Sequence, residues 1–216
     1  MTKNMKKYIL PILAGLCLVS CTDKFDEMNT SQTSITKESV QPGMVLSRTI
    51  YHGLSNDHQR NFNLYDDHFA HYLSETAISS AGRYAYNDGW GGIYWRDFYT
   101  ERLVEYWLVD ELCAKQDSYK AIRAVNDIWN VYLWTRIVDR NGDAPYFNEE
   151  GVFAAGQGQT LAYSSVKSIY MDLLKRLQAD SAILANTAGQ GDLGSYDPCY
   201  NNDFAKWRRF ANTLIM

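Results

Sequence analysis

Apolar residues recur along most of the chain at intervals of three and four, the period of α-helices that turn one face to a core. The longest such run is Tyr119 to Tyr146, where Ile122, Val125, Trp129 and Tyr132 form one stripe and Ala121, Ala124, Ile128 and Val131 lie beside it. More than half the circumference is apolar, so this helix is expected to pack from two sides. Its polar strip is narrow, made of Lys120, Arg123, Asn126, Asp127 and Asn130, and it closes over at Trp134, Ile137 and Val138. The last turn should therefore be buried. Pro145 drives Ala144 out of the α region and Gly142 permits a positive φ, so the helix should end there and the chain reverse.

Shorter helices follow the same logic. Pro42 suits a first helical position, with Met44, Val45, Leu46 and Ile50 carrying a helix to about Gly53. Asn61 to Ile78 carries Phe62, Tyr65, Phe69, Tyr72, Leu73 and Ala77 at helical spacing, and Trp95, Tyr99, Leu103 and Trp107 mark core positions of a helix reaching about Lys115. Ser164 or Ser165 caps a helix with Val166, Ile169, Tyr170, Leu173, Leu174, Leu177 and Leu184 on one face and Lys167, Lys175, Arg176 and Asp180 on the other. Asp203 caps a last helix with Trp207, Phe210, Ala211 and Leu214 in a stripe, running to Met216 without a C-cap signal. The fold class read from this pattern is all-α, with long loops at 79–92, 151–162 and 189–202.

The first forty residues have a different grammar. Met1 to Lys7 is basic and Tyr8 to Val19 is apolar apart from Pro11 and Gly15. That stretch is too short to span a bilayer, so residues 1–20 read as a signal peptide. Leu18-Val19-Ser20-Cys21 at its end resembles the lipobox of bacterial lipoproteins, which implies that Cys21 is lipidated and becomes the new N-terminus. Several acyl chains on one residue give stable attachment. Residues 21–40, acidic at Asp23, Asp26 and Glu27 and then rich in Ser, Thr and Asn, read as a linker to a folded domain at 41–216. Acidic residues after a lipidated cysteine resemble the surface-export signals of Bacteroidetes lipoproteins, which implies a body facing the exterior.

Composition narrows the function. A chain of 216 residues, 46% hydrophobic and 14% aromatic, can bury a real core. The formal charge is −4, and removing Lys3, Lys6 and Lys7 with the signal segment leaves 18 basic against 25 acidic residues, or −7. An acidic surface without a Lys/Arg cluster argues against a nucleic-acid partner. Cys17 leaves with the signal, and the spacing of Cys113 and Cys199 matches no zinc or redox motif, so both read as packing residues even though the compartment would permit a disulfide.

The stretch Ser79 to Gly92 carries four glycines, which rules out a regular helix and places Tyr84, Tyr86 and Trp90 on a loop. Aromatic faces beside Arg83, Asn87 and Asp88 make a sugar platform, with stacking on a pyranose ring and hydrogen bonds to its hydroxyls. The competing reading is a loop pinned by its own aromatics. Asp67, His68, His71 and Glu75 would share a helix face as a metal site requires, but no HExxH order accompanies them and a solvated face is the stronger reading. Asp139, Asn141, Asp143 and Glu150 match positions 1, 3, 5 and 12 of a calcium loop, yet Ala144 and Pro145 stand at positions 6 and 7, so capping and a tight turn account for them better. No metal or other cofactor is expected. No pair of carboxylates is nominated for glycosidase chemistry, so catalytic residues are expected to be none. The rivals to a glycan-binding protein are a lipid-tethered glycosidase and a helical scaffold that binds only protein.

Four stretches in order, namely the lipobox ending at Cys21, Asp139-Arg140-Asn141-Gly142-Asp143-Ala144-Pro145-Tyr146, Tyr163 to Leu174, and Lys206 to Leu214, resemble the SusD/RagB family of nutrient-binding outer-membrane lipoproteins. The resemblance covers nearly the whole chain. It implies tetratricopeptide-like helix pairs in a solenoid-like arrangement, and a protein that binds a glycan or other nutrient without catalysis. It also implies a partner, a TonB-dependent outer-membrane transporter of the SusC type, over which the protein sits as a lid. Family members commonly run to about twice this length, which implies that the chain is an amino-terminal portion whose Trp207 stripe lacks neighbours to bury it.

Overall fold

The computed structural model describes residues 39–54, 57–74, 76, 83–146 and 162–216, and the fold is that of the unit Gln41–Met216. Cys21, Glu75, Ala77, Ile78, residues 79–82, Glu150 and nearly all of the loop 151–162 lie outside the described residues. The long helices are α1 (Pro42–His52), α2 (Leu103–Ala114), α3 (Lys120–Asn141), α4 (Val166–Ile183) and α5 (Phe204–Ile215). Each packs on the next in chain order, and α3 also touches α1 and α5. Neighbour-on-neighbour stacking is the arrangement of helical-repeat proteins. Among the described residues no helix is long and apolar enough to cross a membrane.

The core is built on α3. Ala121, Ile122, Ala124, Val125, Ile128, Val131, Leu133, Trp134, Ile137 and Val138 are all buried, so both flanks of the helix are covered, as the stripe predicts. Trp134 meets the edges of Phe98 and Tyr146, each with ring centroids 4.7 Å away. Trp129 donates Nε1–H to the Thr49 carbonyl at 3.1 Å, tying α1 to α3. Each such side chain, fully buried, stabilises by about 1.5–3 kcal/mol. The helix stops at Gly142, whose φ of 79° and ψ of −137° suit glycine alone, and Ala144–Pro145 (β1) then pairs antiparallel with Tyr163–Ser164 (β2).

The polar strip of α3 is solvated only at Lys120 and Arg123. Asn126 and Asn130 are buried, and Asp127 lies against Arg176 of α4. The Asn126 amide donates to the Tyr106 carbonyl at 3.1 Å, and Tyr106 donates its hydroxyl to Asp127 at 2.7 Å. Helical period locates a polar face but not the helix that covers it; here α2 and α4 both do. Asp180, placed by its spacing on the outer face of α4, is buried in the same seam.

Other boundaries move. The helix expected over 61–78 is a π-helical turn, Gln59–Asp66, continued only by Asp67–Phe69. His71 takes a φ of 61°, and the Asp67 carbonyl captures the Tyr72 N–H at 2.8 Å, which ends the helix. Tyr72 is 81% exposed and Leu73 is exposed too, so neither is core. The i, i+4 register of Asp67 and His71 is broken, so they do not share a helical face. Ile93–Asp97 enters α2 through a second π turn, Phe98–Arg102, which shifts the buried face. Ile93, Tyr94, Phe98 and Leu103 are buried, whereas Trp95 and Tyr99 are half-buried and Trp107 is 40% exposed.

The N-termini of α4 and α5 answer to named caps. Ser165 accepts from the Ser168 N–H at 3.2 Å, Asp143 accepts from the Val166 N–H at 2.9 Å, and Asp203 accepts from the Lys206 N–H at 3.0 Å. Asp143 thus caps the following helix, while Asn141 bonds the Ile137 carbonyl of the preceding one. Trp207 of α5 is fully buried, contrary to the expectation of an unburied stripe: it meets Tyr200 edge-on at 5.0 Å and donates Nε1–H to Asp197 at 2.8 Å. Asp197 also accepts from the backbone N–H of Cys199, Tyr200 and Asn202, so one buried carboxylate orders the loop that covers α5. Cys113 is buried and its thiol is pushed up to about 12 by burial, while Cys199 is exposed rather than packed; both are free thiols.

Candidate functional site

Sequence alone places six residues on one loop, and the structure shows what lies behind them. Asn87 is extended and begins the single turn Asp88–Gly91, accepting the N–H groups of Trp90 and Gly91 at its carbonyl. Trp90 and Asn87 are half-buried; Arg83 and Asp88 are exposed. Tyr86 is 72% exposed and Tyr84 57% exposed. The Tyr86 hydroxyl donates to Asp88 at 3.0 Å, which orients that carboxylate at the edge of the ring and raises the phenol above its usual range.

The backing comes from the turn Gln59–Phe69. Tyr65 approaches Tyr86 in an edge arrangement at 6.5 Å, and Phe69 lies against Tyr84 at 5.4 Å. Tyr65 and Phe69 themselves meet edge-to-face at 4.6 Å. A Cβ on Gly91 would stand 3.1 Å from the Tyr65 ring, so glycine there lets the loop close on it. Both readings of the loop therefore have a counterpart: aromatic residues pin it, and Tyr84 and Tyr86 still offer exposed faces. Tyr65 and Phe69 were legible as a helical i, i+4 pair but not as the support of this loop.

Beside this surface is a pocket of about 260 Å³ lined by Asp66, Tyr94, Arg136, Asp139 and Arg140. The Arg140 guanidinium lies 5.9 Å from the Tyr65 ring centroid and pairs with Asp66 at 2.9 Å. Burial holds the Asp66 carboxyl above its usual range against the pull of Arg140. Asp139 accepts a hydrogen bond from the Tyr170 hydroxyl. With Asn141 and Asp143 engaged as caps, the side chains of the would-be calcium loop turn to different partners. Among the described residues no three His, Cys, Asp or Glu side chains gather as metal ligands.

A larger cleft of about 460 Å³ lies between α2, α3 and α4 and includes Tyr106, Asp110, Arg123, Asp127, Arg176 and Asp180. Arg176 binds Asp127, donates to Asn130 at 2.9 Å and to the Tyr146 hydroxyl at 2.8 Å. Tyr146 in turn donates to Asp172 at 2.6 Å. Burial first and the Asp127 charge second raise the Asp180 carboxyl.

The comparisons define the class. The chain matches, over residues 32–216, the SusD-like family described as starch-binding and associating with the outer membrane. It belongs to that family. A chitin-binding protein of known structure is 24% identical, with a TM-score of 0.67 over 81% of this chain and 37% of its own. A chitin-binding SusD homologue from Flavobacterium johnsoniae is also 24% identical, with a TM-score of 0.63 over 80% of this chain and 36% of its own. A SusD homologue from Bacteroides vulgatus is 21% identical, with a TM-score of 0.64 over 80% and 36%. At such identities the likeness establishes the helical fold, and the chain spans little more than a third of those structures. A comparison with curated protein sequences finds no match.

Proposed function

We propose that this protein binds a glycan through the exposed rings of Tyr84 and Tyr86 together with the half-buried Trp90, with Arg83, Asn87 and Asp88 hydrogen-bonding its hydroxyls. It is tethered to the outer membrane through lipid on Cys21, faces the exterior, and presents its ligand to a TonB-dependent transporter without catalysis. The observation that carries this reading is the pair of exposed tyrosine rings held from behind by Tyr65 and Phe69, in a chain of a family described as starch-binding. A ring fixed by its neighbours loses little freedom when it stacks on a sugar, and Tyr and Trp offer an apolar face with a polar edge.

Calorimetric titration of the full chain in detergent with starch, chitin and plant oligosaccharides tests it. Tyr86→Ala and Trp90→Ala should each weaken the best ligand about tenfold, near 1.4 kcal/mol. Unchanged affinity in both variants would refute the site, and absence of any saccharide binding would favour a protein-binding scaffold. Loss of membrane attachment in Cys21→Ala, and protease access to the body on intact cells, are the expected results for the tether.

A further inference from the structure

Two buried polar atoms that can donate line the pocket beside the aromatic face. Tyr94 is only 4% exposed, and neither its hydroxyl nor Arg136 Nε has a hydrogen-bond partner among the described residues. Guanidinium nitrogens donate and never accept, so a group able to satisfy them must bring acceptors. The charges in the pocket are unevenly used. Arg140 is ion-paired with Asp66 and Asp139 is held by Tyr170, whereas among the described residues no carboxylate is paired with Arg136. Its charge is instead faced by the rings of Phe62, Tyr94 and Tyr132, with centroids 5.7–5.9 Å away. Ring faces stabilise a cation but do not saturate its planar fork of N–H groups, which matches the paired oxygens of a carboxylate or sulfate.

Position adds the second half of the argument. Arg136 and Arg140 stand one turn apart on α3, and Arg140 lies over Tyr65, the ring that supports Tyr86. A saccharide lying on Tyr86 is thus separated from the pocket by one aromatic side chain. We propose that this pocket reads an acidic substituent, a carboxylate or a sulfate ester, on the glycan, with Arg136 and Tyr94 setting the preference for acidic over neutral chains. The proposal rests on the glycan-binding reading above for its platform, but the pocket can be tested alone.

The probes are a galacturonic acid tetrasaccharide, a sulfated galactan tetrasaccharide and the uncharged galactan tetrasaccharide, titrated into the full chain in detergent at low and physiological salt. The expected result is at least about tenfold tighter binding of one acidic probe than of the neutral one, a gap that narrows as salt screens it. Comparison of the two acidic arms identifies the group. Arg136→Gln and Tyr94→Phe, checked for intact helicity, should bring the acidic probe down to the neutral one's affinity and leave the neutral one unchanged, whereas Tyr86→Ala should weaken all. Equal binding of acidic and neutral probes, or equal losses for both in Arg136→Gln, would overturn the proposal. Free galacturonate and inorganic sulfate need only the pocket: a rise in Tm with either, abolished by Arg136→Gln, supports it even if no tetrasaccharide binds and the platform fails, and no rise with either counts against it.

Discussion

Asp180 shows how far burial can move a single side chain. Arg176 acts on both Asp127 and Asp180 but is ion-paired with Asp127, while Arg123 is ion-paired with Asp110. Burial and the neighbouring Asp127 charge push the Asp180 carboxyl up to about 9, which favours its protonated form at neutral pH. The sign of the linkage follows: the folded state binds this proton more tightly than the unfolded state does. The stability it contributes is full below the ordinary carboxylate value and is lost as pH rises through the raised one. Asp180→Asn, which keeps the shape and a donor without needing the proton, should raise Tm relative to the natural chain at pH 8 more than at pH 4. Each kcal/mol gained corresponds to about 2–4 °C in a protein of this size. Thermal melts across that range check it, and an equal effect at both ends would show that Asp180 does not carry the proton.

Elements here are bounded by single backbone positions, and these differ in how plainly they are written. Gly142 was legible, because a glycine before Asp-Ala-Pro at the end of a helical stripe leaves few other conformations. Its φ of 79° with ψ of −137° is a region that a side chain enters only at a cost of about 1–3 kcal/mol. Gly142→Ala should lower denaturant stability by that amount with little change in helicity, although no atom stands within 4 Å of the added Cβ; an unchanged midpoint would mean that the turn relaxes. His71 was not legible in the same way, since its positive φ is imposed by the Asp67 carbonyl reaching Tyr72 and no Gly or Pro announces it. The π turn at Phe98–Arg102 is equally silent, and it is why a four-residue spacing put Trp107 in the core while Phe98 took the place. The stripe of α3 was read correctly because its core side is uninterrupted. Its polar side is less legible, because Asn126, Asp127 and Asn130 are engaged by residues 20 to 49 positions away. Of the candidate site, the exposed tyrosines were visible as aromatics without a stripe, but their backing by Tyr65 and Phe69 and the adjoining arginine pocket depend on which helices pack together.

At the scale of the whole molecule, stability passes from helix to helix. Sequential packing of α1 on α2, α2 on α3, α3 on α4 and α4 on α5 makes each element answer mainly to its neighbours. Trp207 is the test of this at one end of the stack. It is enclosed by Tyr200, Phe210 and the Asp197 carboxylate, and Tyr132 of α3 reaches the same cluster through Phe210 at 5.7 Å. Trp207→Ala removes the ring and leaves the buried Asp197 oxygen without its indole donor, so a loss of about 3–5 kcal/mol is expected. Hydrogen exchange locates the loss: protection should fall most in α5, next in α4, and least in α2, since α1 packs on Gly194–Tyr196 beside Asp197. A uniform fall would mean that the chain melts as a single unit, and the solenoid description of its energetics would then be wrong.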